Sequence, residues 1–256
     1  VAAGLEYEST LSKDQIILVV DIGGGTTDCS LIQMGPTYRG AQDRTQSLLA
    51  HSGQRVGGND LDIYLALKQL MPLFGMESQS LSGIKMPFLQ FWNPIAINNV
   101  EAQKEFYSRQ NLTALTRLKQ DAKEPQIISR LLEVYNETLG YSLVRKAEEA
   151  KIALSDTSSY LAQIKLISEK LEVNIPHEQM VESIESPKSK MIELVKEAVN
   201  QGGVKPDAIY VTGGSARSPI LHQAISQELP NIPIIRGDDF GSVTAGLTRW
   251  AETCFK

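Results

Sequence analysis

Ile16-Ile17-Leu18-Val19-Val20-Asp21-Ile22-Gly23-Gly24-Gly25-Thr26-Thr27-Asp28-Cys29-Ser30-Leu31-Ile32 decides the fold class. The run from Ile16 to Val20 is β-branched and apolar, the composition of a buried strand, and Cys29 to Ile32 reads as its returning partner. Between them a carboxylate is followed by three glycines and paired hydroxyls. Glycine permits positive φ and lets backbone N–H groups close on an anion where a Cβ would collide. Asp21, at the mouth of the strand, is suited to hold the waters of a magnesium ion, and the hydroxyl of Thr26 or Thr27 to reach a terminal phosphate. Two readings stay open on this stretch alone. It is a phosphate cradle built on Gly23, Gly24 and Gly25, or a Gly-rich hairpin turn that binds nothing.

The bulk properties narrow the field. The 256 residues, 42% of them hydrophobic, suffice for a real core in one large domain or two lobes. Thirty acidic against twenty-five basic residues give a net charge of −5 without a dense Lys/Arg block, which argues against a nucleic-acid partner. No apolar run approaches a membrane span, and Val1-Ala2-Ala3-Gly4-Leu5-Glu6 has neither the basic start nor the apolar core of a signal peptide. Cys29 and Cys254 are too few and too distant for a disulfide framework, and His51, His177 and His222 lack ligand spacing. A reducing cytoplasm is the expected location.

Along the chain, residues 16–21, 28–34 and 44–51 read as an antiparallel meander, with a helix opening after Gly57-Gly58 under an Asn59 or Asp60 cap. Residues 71–99 break the pattern with Pro72, Gly75, Gly83, Pro87 and Pro94, around an aromatic group of Phe88, Phe91 and Trp92. Long helices follow over 100–120 and 126–155, then one or two strands over 160–175 and a helix over 186–201. The remainder alternates strand (208–211), helix (218–228), strand (232–235) and helix (240–253), an α/β pattern with parallel pairing. The expected organisation is a nucleotide-binding α/β lobe of residues 1–65 and 190–256, with residues 66–189 forming an inserted, mainly helical α+β lobe.

Three further motifs carry chemistry. Gly57-Gly58 precedes a helix, where unpaired N–H groups and the helix dipole suit an anion, though simple capping explains the pair equally well. Glu148, Lys151, Ile152 and Ser155 share one helical face, offering an acceptor, a donor, an apolar plate and a hydroxyl. Thr212-Gly213-Gly214-Ser215-Ala216-Arg217 joins a strand to a helix through a glycine turn, the place where open α/β sheets bind nucleotides, with Arg217 able to stack on a base or meet a phosphate.

These four motifs, in this order, resemble the second half of the ATPase domain of the DnaK-type, seventy-kilodalton heat-shock chaperones, whose fold is the actin-like ATPase with ribonuclease-H-like lobes. The resemblance implies that Asp21 to Asp28 hold the phosphates of ATP or ADP and the waters of magnesium, with Gly57 and Gly58 beside them. It implies that Glu148 to Ser155 and Gly213 to Arg217 enclose adenosine. It implies that a first lobe, with its own phosphate loop, a lysine and a glutamate, lies outside this chain, so that the parent is an ATPase and this half alone is inactive. The stop at Lys256, with no peptide-binding domain, is similar to truncated, YegD-like bacterial members.

Three features depart from the family pattern. Ile152 stands where an arginine usually stacks on adenine, Asn59 replaces a usual glutamate, and the stretch 69–145 is longer than its equivalent. That enlarged stretch is the expected contact for any protein partner, through aromatics such as Phe88, Phe91 and Trp92. A bacterial actin-like filament or scaffold protein and a small-molecule kinase of the same superfamily are the competing classes.

Overall fold

The computed structural model describes residues 2–39, 41, 43–237 and 241–255. Val1, Lys256 and Phe240, the last expected within the final helix, lie outside the described residues. The chain divides into two compact units, one of Val1–Asp60 with Ser186–Lys256 and one of Leu61–Glu185.

The first unit is α/β, with a mixed five-stranded sheet flanked by helices. Strands β1 (Gln15–Ile22), β2 (Thr27–Met34) and β3 (Leu48–Gln54) form the antiparallel meander, and β6 (Ala208–Thr212) and β7 (Ile234–Arg236) add parallel to β1, giving the order β3-β2-β1-β6-β7. β1 is central and its residues Ile17 to Val20 are all buried, which is why it reads as an unbroken apolar run instead of alternating. On one face Ile17, Val19, Ile32, Met34, Ala208 and Tyr210 form a core with Ala3 and Leu11, and Tyr7 stacks on Tyr210 at 5.0 Å. Gly4 lets helix Ala2–Glu8 approach Met34 and Val19 so closely that a Cβ would overlap both. On the other face helix Glu185–Gly202 buries Met191, Leu194, Val195 and Ala198, and Ser52 Oγ donates to the Leu194 carbonyl at 2.7 Å. Each aliphatic side chain so buried contributes about 1.5–3 kcal/mol. Slipping the register by one residue would reverse both faces, so this core also fixes which residues meet at the strand ends.

β3 starts at Leu48, later than the sequence pattern suggests. Thr45–Ser47 turn as a 3-10 helix, tied by Asp43 Oδ1, which accepts from the Thr45 amide and hydroxyl, and by Arg44, which pairs with buried Glu8 at 2.6 Å. Cys29 is fully buried and burial pushes its thiol up to about 12, so it is inert as a nucleophile.

The second unit is mainly helical, with a hairpin of β4 (Ser159–Lys165) and β5 (Lys170–Pro176). Both expected long helices are broken. Val100–Phe106 and Arg109–Asp121 are separated where Ser108 Oγ caps the second by accepting from the Asn111 amide at 3.1 Å. Pro125–Asn136 and Gly140–Ala153 are separated where Thr138 takes φ 51° and Gly140 lies too close to the Pro94 carbonyl for any side chain. The helix opening at Gly58 runs to Leu65 and continues as a π turn (Ala66–Leu70) and a 3-10 turn (Met71–Phe74), ending at Gly75 with φ 101°. No described helix is long and apolar enough to cross a membrane.

Candidate functional site

The β1–β2 connection is a four-residue loop, Gly23 to Thr26, between the paired residues Ile22 and Thr27. The Gly23 amide donates to the Thr26 carbonyl at 2.9 Å and closes it. The amides of Gly24, Gly25 and Thr26 have no hydrogen-bond partner among the described residues, and all three residues are exposed. Successive unpaired amides on a tight loop are an anion-binding arrangement.

The glycines here are not explained by backbone strain. Gly23, Gly24 and Gly25 do not have φ in the left-handed region, which corrects the expectation that they serve positive φ. A Cβ on Gly25 would meet nothing within 4 Å, and one on Gly23 or Gly24 would come no closer than 3.5 or 3.4 Å to protein atoms. The fold therefore does not itself exclude a Cβ at these positions, and the space at Gly25 is open.

The neighbouring glycines are of the opposite kind. A Cβ on Gly57 would stand 2.6 Å from the Gly24 carbonyl oxygen, and one on Gly58 would overlap Ser215 Oγ. Gly213 has φ 94° and would drive a Cβ to 2.5 Å from the Ile22 carbonyl and 2.7 Å from Asp21 Oδ1. The loop, the Gly57-Gly58 turn and the Gly213-to-Ser215 turn are thus assembled in contact with one another. The amides at the helix start are already used: Gly58 donates to the Gly23 carbonyl at 2.9 Å, Asn59 to the Gly24 carbonyl at 2.7 Å, and Gly57 to Asp60 Oδ2 at 2.8 Å. Gly57 and Gly58 therefore offer no free N–H to an anion, and their part is to buttress the loop.

The two threonines part company in the same way. Thr27 is fully buried and donates its hydroxyl to the Val56 carbonyl at 2.8 Å, so it is a structural tie and not a phosphate contact. Thr26 is exposed at the loop.

Carboxylates line the strand ends. Asp21 is directly opposite Asp28 in the antiparallel register and beside buried Thr212 in the parallel one. Opposed residues put their side chains on one face, and like charges there repel. Burial, followed by the charge of Asp28, raises the Asp21 carboxyl above the ordinary carboxylate range. His51 Nε2 lies 3.9 Å from Asp28 Oδ1, and His51 Nδ1 lies 3.1 Å from Ser30 Oγ. Among the described residues no three His, Cys, Asp or Glu side chains gather as a metal cage. The carboxylate pair suits a hydrated divalent cation that takes its other ligands from water and from the anion.

The expected adenosine residues divide between the two units. In the first, Gly214 to Arg217 form a 3-10 turn in which Gly214 and Arg217 are exposed and Ser215 half-buried. In the second, Glu148 and Ile152 are exposed on helix Gly140–Ala153, Ile152 at 61%. Lys151 Nζ lies 2.7 Å from Oδ1 of buried Asp62, an ion pair that engages part of its donor capacity. Ser155 donates its hydroxyl to the Lys151 carbonyl at 3.2 Å, which leaves its lone pairs open.

Asp28, the last residue of the stretch expected to hold phosphates and magnesium waters, stands opposite Asp21 in the register. Its signal was in the sequence, because a four-residue loop between Ile22 and Thr27 necessarily sets Asp21 opposite Asp28. The free amide of Thr26 and the position of Thr212 had no sequence signal. No protein-family model matches this chain.

Proposed function

We propose that the chain is the nucleotide-binding half of a DnaK-type chaperone ATPase with the actin-like, ribonuclease-H-like fold, and that the β1–β2 loop holds the phosphates of ATP or ADP with magnesium. The observation that carries the proposal is the row of glycines, Gly23 to Gly25, that the fold itself does not require and that keeps free amides uncovered. A meander extended by strands parallel to β1 supports the same fold family.

In this proposal the amides of Gly24, Gly25 and Thr26 and the Thr26 hydroxyl bind phosphate oxygens, while Asp21 and Asp28 orient the waters of the cation. Magnesium bound there neutralises charge on the phosphates. Gly213 lets its turn pack against Asp21 where a Cβ would meet the carboxylate. Gly214, Ser215 and Arg217, and likewise Glu148, Ile152 and Ser155, are assigned to adenosine by the resemblance alone. Turnover draws on charged groups on both sides of the phosphates, so this half alone hydrolyses ATP negligibly. A cytoplasmic location accompanies the proposal.

The test is a calorimetric titration with MgADP of the wild-type chain and of Gly25→Val, alongside thermal unfolding of both without ligand. Weak binding by the wild type and none by a normally folded Gly25→Val is the expected result. Binding by neither, or equal binding by both, would overturn the proposal.

A protein partner for residues 69–145 is supported by exposed Leu81, Ile84, Phe88 and Leu89. The aromatic anchors are fewer than the sequence suggests: Phe91 is fully buried and Trp92 half-buried against Tyr64 and Phe88, leaving Phe88 alone at the surface at 54%.

A further inference from the structure

Asn59 lies against the Gly24 position of the loop. Its backbone amide is tied to the Gly24 carbonyl at 2.7 Å. Its carboxamide lies on the side of Gly24 from which a side chain would project, with Oδ1 3.4 Å and Nδ2 3.7 Å from the position a Gly24 Cβ would take. Asn59 is half-buried, and its side chain makes no hydrogen bond with any described residue. A carboxamide has two N–H donors and an acceptor, and a half-buried one without protein partners is an unused recognition group.

Charge makes the choice of residue informative. Asp21 and Asp28 already supply negative charge at the strand ends. A third carboxylate at position 59 would stand beside the amides themselves and oppose any anion seated on them, whereas a carboxamide adds two donors and no charge. From this geometry we infer that Asn59 is a specificity-determining residue of the loop, donating its Nδ2 hydrogens to a phosphate oxygen of the ligand and, by being neutral, admitting the phosphate chain in its metal-free, more highly charged form. The inference rests on the proposed nucleotide site and extends it to the charge state of the ligand.

The test compares wild type, Asn59→Ala and Asn59→Asp by calorimetric titration with ADP, once with excess magnesium and once with a chelator. The side chain makes no hydrogen bond within the protein, so thermal unfolding without ligand should be unchanged in both variants, and that measurement verifies folding. Removing the donors in Asn59→Ala should weaken binding on the order of tenfold in both conditions. Adding a charge in Asn59→Asp should weaken metal-free ADP further than Asn59→Ala does, and MgADP by much less, because the cation offsets part of the repulsion. Equal affinities for all three proteins would overturn the inference and leave the nucleotide site standing. An Asn59→Asp chain whose loss is the same with and without magnesium would refute the charge-selecting role. A wild-type chain that binds ADP in neither condition would remove the nucleotide site and the inference with it.

Discussion

Asp21 and Asp28 face each other directly across β1 and β2, at the end of the sheet where the glycine loop turns. Two carboxylates on one face of a sheet repel, and the partly buried one, Asp21, titrates above its ordinary range. A folded-state pKa above the unfolded value means that the native chain binds more protons between the two values, so stability falls as pH rises through that window. The cost is fully present above the folded-state value and vanishes below the unfolded one.

Asp21→Asn should therefore raise the thermal midpoint of the ligand-free chain at pH 7, with a gain that shrinks as pH is lowered toward the ordinary carboxylate range. The same substitution should abolish any stabilisation by magnesium with ADP. Differential scanning calorimetry across pH checks both, and a destabilised Asp21→Asn chain at pH 7 would mean that the carboxylate has a structural partner.

The two classes of glycine should separate in stability and binding. Gly25→Ala should change unfolding free energy by less than about 0.5 kcal/mol while weakening nucleotide binding. Gly57→Ala forces a Cβ onto backbone carbonyls and should cost about 1–3 kcal/mol. Urea titration and calorimetry of the two variants measure these effects, and a Gly25→Ala chain as damaged as Gly57→Ala would contradict the assignment of open space to a ligand.

Lys151 and Ile152 are sequence neighbours with opposite duties. Lys151 forms a largely buried ion pair with Asp62, so Lys151→Met should destabilise the chain by about 1–3 kcal/mol. Ile152→Arg changes an exposed side chain and should leave stability unaltered while tightening adenine-nucleotide binding by about 1 kcal/mol through stacking on the base. Chemical denaturation reads the first and nucleotide titration the second. No gain in affinity from a folded Ile152→Arg chain would remove this helix from the adenosine site.

Phe88 and Phe91 should differ as surface and core residues do. Phe91→Ala should cost about 3–5 kcal/mol, and Phe88→Ala should be close to neutral for folding while reducing any partner binding or self-association through the exposed patch. Unfolding and sedimentation experiments distinguish these outcomes.

Much of the fold was legible because it is written in local chemistry. An apolar β-branched run, a glycine turn and a returning strand specify the β1–β2 hairpin without reference to the rest of the chain, and alternation of strands with helices after residue 203 specifies the parallel additions. The breaks at Ser108 and Thr138 escaped because periodicity persists across them: the interruption comes from a cap and from the close approach of Gly140 to Pro94, neither visible in a hydrophobic pattern.

For the site, the sequence by itself determined the kinds of groups present: a carboxylate at each end of the loop, three glycines and two threonines between, and glycine pairs elsewhere. Only the tertiary structure decided which of them are available to a ligand. Contacts between segments distant in sequence engage the Gly58 and Asn59 amides and the Thr27 hydroxyl, and among the described residues leave the amides of Gly24, Gly25 and Thr26 and the carboxamide of Asn59 without partners. Residue type sets what a group is able to bind, but a hydrogen-bond donor satisfied inside the protein has little to offer outside it, and its satisfaction depends on neighbours that only the folded chain supplies.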